Sequence, residues 1–234
     1  MPSPHRIYGL IPARGGSKGI PDKNLRLLGG RPLLSYTVEA ARMSGTVDYL
    51  VLTTDSEKIA DQGRDLGIDN VIMRPPELAL DDTPMLPVVQ HALRVLASGG
   101  HTVDILVLLQ PTAPLRRPDH IFHGVEMLVR HGCDSVVSVV KVPSHLSPHY
   151  VMMIRGGFLL HFLSEGESVT RRQDVPPAYY RDGTIYVMWE ETIVQKQSLY
   201  GDTCMPMILP SEESQVLDSI DDWNRAERLL DRGQ

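Results

Sequence analysis

Ile7-Tyr8-Gly9-Leu10-Ile11 runs directly into Pro12-Ala13-Arg14-Gly15-Gly16-Ser17-Lys18-Gly19-Ile20-Pro21-Asp22-Lys23-Asn24. An apolar run of strand length thus delivers the chain into a glycine-rich, basic loop. A helix is predicted next, over residues 32–43: Pro32 suits a first turn, and Leu33, Leu34, Thr37, Val38 and Ala41 share one stripe. Outward from this unit the alternation repeats. Further strands are predicted at Tyr49–Thr53, Asn70–Met73, Asp104–Leu109, Ser135–Val140, Thr184–Met188 and Cys204–Leu209. Helices are predicted over 56–66, 85–97, 118–131 and 220–231, the one over 118–131 with Ile121, Phe122, Val125 and Val129 as its apolar residues. Several strands are apolar at successive positions, as in a sheet covered by helices on both faces.

One region interrupts this pattern. Val151-Met152-Met153-Ile154 and Phe158 to Leu163 flank Arg155-Gly156-Gly157, which reads as a β-hairpin. A two-stranded hairpin is marginal in water by itself. Either the parent domain or a second subunit must cover it, and the second fits better because the segment interrupts an otherwise complete α/β pattern. The predicted organisation is therefore a single domain over 1–234, with 141–180 as an inserted dimerisation element.

The chain has 234 residues, 42% of them hydrophobic and 22% charged, which supports one folded domain and argues against disorder. Its longest aliphatic run, Ile105 to Leu109, is far too short to span a membrane. Met1-Pro2-Ser3-Pro4-His5-Arg6 has no apolar core of a secretory signal, and two cysteines without CxxC spacing suit a reducing cytoplasm. A net charge of −6 argues against indiscriminate nucleic-acid binding. The charge is unevenly spread: residues 1–26 carry a local +4 and residues 211–234 a local −4. Such ends could build an anion site with a metal, or could be two solvated faces.

Three glycines, Gly15, Gly16 and Gly19, let backbone amides approach a ligand, while Arg14, Lys18 and Lys23 add charge. A triphosphate matches that combination. The order is neither that of a Walker A loop nor GxGxxG. His145 and His149 are separated by Pro148, so a helical metal spacing does not apply; His120 and His123 read as exposed at a helix start.

The string from Ile11 to Asn24 resembles the IPAR-x-x-SKG-x-P-x-KN signature of the acylneuraminate (nonulosonate) cytidylyltransferases, which activate sialic-type sugar acids as CMP conjugates. The resemblance continues through Thr53-Thr54-Asp55, Arg74-Pro75-Pro76-Glu77-Leu78-Ala79, Leu109-Gln110-Pro111-Thr112-Ala113-Pro114-Leu115-Arg116, Asp134 to Ser138, Arg171 to Asp174, and Arg181 to Tyr186. It implies a Rossmann-like three-layer α/β sandwich with a mostly parallel central sheet and a small inserted β-hairpin dimerisation element. It implies CTP and a nonulosonic acid as substrates, Mg²⁺ as cofactor and a homodimer through 141–180, with no nucleic acid or membrane as partner.

In such an enzyme a sugar hydroxyl attacks the α-phosphorus of CTP and pyrophosphate leaves, so positioning and charge neutralisation dominate. Arg14, Lys18 and Lys23 are the candidates for neutralisation, with Asp218 the remaining catalytic and metal candidate. Leu10, Ala13, Arg14, Gly15, Ser17, Lys18, Asn24, Arg74 and Ala79 are assigned to the nucleotide. Gln110, Arg172 and Arg181 are assigned to the sugar acid, arginine being able to grip both carboxylate oxygens. One departure stands out: where the family has an Asp-x-Asp pair before the last helix, this chain has Val216-Leu217-Asp218. Only Asp218 stays in register, one carboxylate where the resemblance implies two. Other acceptors (ketodeoxyoctonate, a phosphonate) and a non-catalytic nucleotide-binding subunit are the alternative readings.

Overall fold

The structure is a computed structural model and describes residues 4–164, 171 and 175–232. Its strands are β1 (Ile7–Pro12), β2 (Leu27–Leu28), β3 (Arg31–Pro32), β4 (Tyr49–Thr54), β5 (Asn70–Met73), β6 (Ile105–Leu108), β7 (Ser135–Lys141), β8 (Met152–Arg155), β9 (Phe158–His161), β10 (Tyr179–Trp189) and β11 (Cys204–Leu209). Its helices are α1 (Leu33–Met43), α2 (Glu57–Asp65), α3 (Met85–Ser98), α4 (Pro118–His131), α5 (Glu190–Val194) and α6 (Ile220–Arg232). Seven strands form one sheet in the order β11-β7-β10-β6-β1-β4-β5. All neighbours run parallel except β10, which is antiparallel to both β6 and β7. The α/β architecture predicted from alternation is the one observed.

Alternating side chains of each strand feed two cores. One face packs Ile7, Ile11, Leu50, Leu52, Ile105 and Val107 against Leu34 and Val38 of α1, Ile59 of α2, and Ile121, Val125 and Leu128 of α4. The other packs Tyr8, Leu10, Val51, Leu106 and Leu108 against Val89, Leu93 and Leu96 of α3 and Ile193 of α5. A third cluster is smaller and matters more for the site: Ile20 of the glycine-rich loop meets Leu28, Leu33, Leu217, Trp223 and Ala226. It fixes the loop to the C-terminal segment and to α6.

Several expectations are corrected by this packing. Phe122 and Val129 are about half exposed, because the buried face of α4 is made by Ile121, Gly124, Val125 and Leu128. His120 is buried rather than exposed: its Nδ1 accepts from the Arg117 amide and its Nε2 pairs with Glu213 at 3.0 Å. The hairpin forms with Arg155 opposite Phe158, and Gly156 and Gly157 take φ of +61° and +85°, the positive angles a two-residue turn requires. Strand β10 begins earlier than predicted, with Tyr179 and Tyr180 already paired to Lys141 and Val140.

Candidate active site

In a parallel sheet the carboxyl ends of the strands share one edge, and the chain leaves that edge in loops. Here β1 ends into the glycine-rich loop, β4 into Asp55, β5 into Arg74 and β6 into Gln110-Pro111-Thr112. The antiparallel β10 enters from the same edge, so Arg181, Asp182 and Gly183 lie beside Gln110. Its register shifts between Arg181 and Tyr186, and Gly183 takes φ +74°. This bulge re-aims the strand where it meets the site.

Two adjoining cavities occupy the edge. The first, about 170 Å³, is lined by Arg14, Ser17, Lys23, Asn24, Arg74 and Gln110, among others. The second, about 300 Å³, is lined by Gln110, Arg181, Asp182, Gly183, Tyr200 and Val216, among others. Gln110 and Met85 belong to both. The first cavity is cationic; the second has one cation and an apolar wall.

Around the first cavity the loop is stitched from several sides. The Ala13 amide donates to the Thr53 carbonyl, and the Gly15 amide donates to Asp55 Oδ1 at 2.9 Å. Asn24 Nδ2 donates to the Arg14 carbonyl at 3.0 Å. Lys23 Nζ donates to the Leu217 carbonyl at 2.7 Å and lies 3.9 Å from Asp218. Burial pulls the Lys23 ammonium below its ordinary pKa, partly offset by the Asp218 charge. Arg74 is buried, with Nη2 donating to Thr53 and Nη1 to Leu78, so it ties the 75–79 turn to β4. Its Nε is buried without a hydrogen-bond partner. Burial also lowers the Arg74 pKa.

The predicted residues therefore fall unevenly. Arg14, Ser17, Lys23, Asn24, Arg74 and Gln110 are together on one cavity, and Arg181 is on the next. Leu10 is fully buried and offers only its backbone. The Ala79 amide is already given to Pro76. Lys18 is 82% exposed beyond the lining, in an ion pair with Asp81. Asp218 is 80% exposed at the rim. Arg172 lies outside the described residues.

Sequence reasoning missed several residues of this site. Asp81 bridges Arg14 and Lys18, at 2.6 and 2.5 Å. Tyr200 accepts from Arg181 and lies under its guanidinium, 5.5 Å from the ring centre. Arg116 is buried and donates to the Thr184 and Gln110 carbonyls and to Thr37 Oγ1. Desolvation pushes its pKa down to about 9 despite the charge of Asp182. Only Arg116 had a sequence signal, as the end of the QPT-x-PLR string.

A family model described as "Cytidylyltransferase" matches residues 8–200. The chain belongs to the cytidylyltransferase family. A CMP-N,N'-diacetyllegionaminic acid synthase of Legionella pneumophila is 34% identical over 98% of each chain. An N-acylneuraminate cytidylyltransferase of Streptococcus agalactiae serotype V is also 34% identical, over 92% of this chain. This chain spans about half the length (51%) of that relative. A pseudaminic acid cytidylyltransferase of Campylobacter jejuni is 27% identical over 94% of each chain. Among solved structures, a CMP:2-keto-3-deoxy-manno-octonic acid synthetase complexed with CTP superposes with a TM-score of 0.72 over 98% of this chain and all of that one. At 14% identity, that likeness speaks to the fold alone.

Proposed function

We propose that the protein transfers CMP from CTP to the anomeric hydroxyl of a nonulosonic acid and releases pyrophosphate. The observation that carries this reading is the pair of cavities meeting at Gln110 and Met85, one cationic and one with Arg181 facing an apolar wall. Two substrates held side by side convert a bimolecular displacement into a positioned one. The bond from the sugar oxygen to the α-phosphorus forms as the bond to pyrophosphate breaks. Arg14, Lys18 and Lys23 neutralise charge on the phosphates, and Ser17 and Asn24 orient them. Arg74, Ala79 and the backbone of Leu10, Ala13 and Gly15 serve the nucleotide; Gln110, Arg181 and Arg172 serve the sugar acid. The relatives named for legionaminic, acylneuraminic and pseudaminic acids support that acceptor class.

The donor set suits Mg²⁺ only in a lean form. The Val216 side chain offers no oxygen and Asp218 is a single exposed carboxylate; among the described residues no group of three or more His, Cys, Asp or Glu could hold a metal. Mg²⁺ commonly takes one or two protein carboxylates and completes its shell with phosphates and water. Asp218 would hold it there, and bound Mg²⁺ would add charge neutralisation to the triphosphate. The decisive assay is pyrophosphate release from CTP and Mg²⁺ with a panel of nonulosonic acids, ketodeoxyoctonate and a phosphonate. Turnover confined to nonulosonic acids is expected. Val216 favours one second reading, a nucleotide-binding subunit without turnover, which the same panel would reveal as CTP binding with no product.

The reading includes a homodimer through 141–180. Ile154, Phe158 and Leu159 on the hairpin are 78%, 73% and 63% exposed, an apolar face that a second copy would cover. A cytoplasmic location is part of the same reading: Cys133 and Cys204 are free thiols, and no described helix is long and apolar enough to cross a membrane.

A further inference from the structure

Arg14 and Lys18 do not face solvent alone. Both reach the same carboxylate, that of Asp81, through Nη1 at 2.6 Å and Nζ at 2.5 Å. Asp81 follows the turn Pro76–Leu78 and Ala79. That stretch is knitted to itself: Thr83 Oγ1 donates to the Glu77 carbonyl and the Thr83 amide to the Leu80 carbonyl. Lys18 first, and Arg14 with it, hold the Asp81 carboxyl below the ordinary carboxylate range. Its neighbour Asp82 is also exposed but takes part in no ion pair among the described residues.

Resting on the assignment of Arg14 and Lys18 to the donor's phosphates, we propose that Asp81 is an internal counter-anion which an incoming polyphosphate must displace. The chemistry favours displacement over sharing. Asp81 brings one charge and two oxygens; a triphosphate brings three to four charges and many oxygens to the same two cations. A carboxylate left within a few ångströms of that polyanion is repelled by it. A monoanion has little surplus with which to replace Asp81, so the residue sets a threshold that selects chains of phosphates. Asp81 also sits two residues beyond Ala79, which is assigned to the nucleotide, so the counter-anion and that contact belong to one loop.

The test compares wild type, Asp81→Asn, Asp82→Asn and Lys18→Ala by calorimetric titration with pyrophosphate, orthophosphate and CTP at two ionic strengths. Asp82→Asn removes the same formal charge one residue away and serves as the control. Asp81→Asn is expected to bind pyrophosphate and CTP more tightly, by about three- to tenfold at low salt, the scale of two exposed ion pairs. The gain should shrink at high salt, and the preference for pyrophosphate over orthophosphate should narrow. Equal or weaker binding by Asp81→Asn, or the same gain in Asp82→Asn, would overturn the proposal while leaving the donor site standing, provided Lys18→Ala weakens binding. If Lys18→Ala leaves pyrophosphate and CTP binding untouched, the assignment of the cations fails, and the role of Asp81 with it.

Discussion

Gly19 has no room for a methyl group: a Cβ there would meet the Asp218 carbonyl oxygen at 2.4 Å, whereas one on Gly16 would meet nothing within 4 Å. Two glycines that look alike in sequence thus do different work. Gly19 lets the glycine-rich loop touch the segment that carries Asp218, and Lys23 secures the same segment through the Leu217 carbonyl. Gly19→Ala is expected to cost about 1–3 kcal/mol of stability and most of the activity, as overpacking against backbone does, with Gly16→Ala close to wild type. Chemical denaturation and pyrophosphate release, run on both variants, check this; equal effects would remove the distinction. Arg14→Ala should lower kcat/KM by roughly 10²–10³-fold, the range for one preorganised charge donor. Val216 lines the second cavity, so Val216→Asp tests two demands at once. The added carboxylate should lower the Mg²⁺ concentration needed for half-activity and raise the acceptor KM, because it repels an acidic sugar. No change in either constant would show that Asp218 suffices and that the wall is indifferent to charge.

At the scale of elements, α4 shows where periodicity stops being informative. Its sequence gives more apolar positions than one face can bury, and which of them turn inward depends on neighbours that spacing does not name. The strands were readable because runs such as Ile105–Leu108 are apolar throughout, and the fourteen-residue string from Ile11 to Asn24 announced the site. Pairings between distant loops were not readable. Asp81 on Arg14, Asp55 on the Gly15 amide and Glu213 on His120 each join residues far apart in the chain. The local +4 of residues 1–26 is therefore not the charge a ligand meets. His120 illustrates the consequence for stability. Burial keeps its pKa below the ordinary 6.5, against the opposing pull of Glu213. The unfolded chain then takes up a proton at a higher pH than the folded one, so the folded state is favoured fully above about pH 6.5 and less as pH falls below it. His120→Gln should flatten that part of the stability–pH curve, measured by denaturant titration from pH 7.5 to 5. An unchanged slope would assign the loss to other groups.

For the whole molecule, the question is what a single copy leaves unfinished. Both cores and the third cluster close within one chain, and the lining of the first cavity comes from loops of the main sheet. The hairpin of β8 and β9 is different: among the described residues it pairs only with itself, and it presents Ile154, Phe158 and Leu159 outward. Fully burying an aliphatic or aromatic side chain of this size is worth about 1.5–3 kcal/mol, so covering three of them with their symmetry mates would offset much of the cost of association. Charge placed there should prevent it without touching either core. The double variant Ile154→Asp/Leu159→Asp is expected to run as a monomer by light scattering at micromolar concentration, and the parent chain is expected to run as a dimer there. It should keep its thermal transition and its affinity for CTP, since the nucleotide cavity draws on none of these residues. Acceptor turnover should fall, because Arg172, assigned to the sugar carboxylate, belongs to the same 141–180 region whose position the dimer would set. A parent chain that is already monomeric would remove the pairing, and a monomeric variant with full turnover would confine the acceptor site to one subunit.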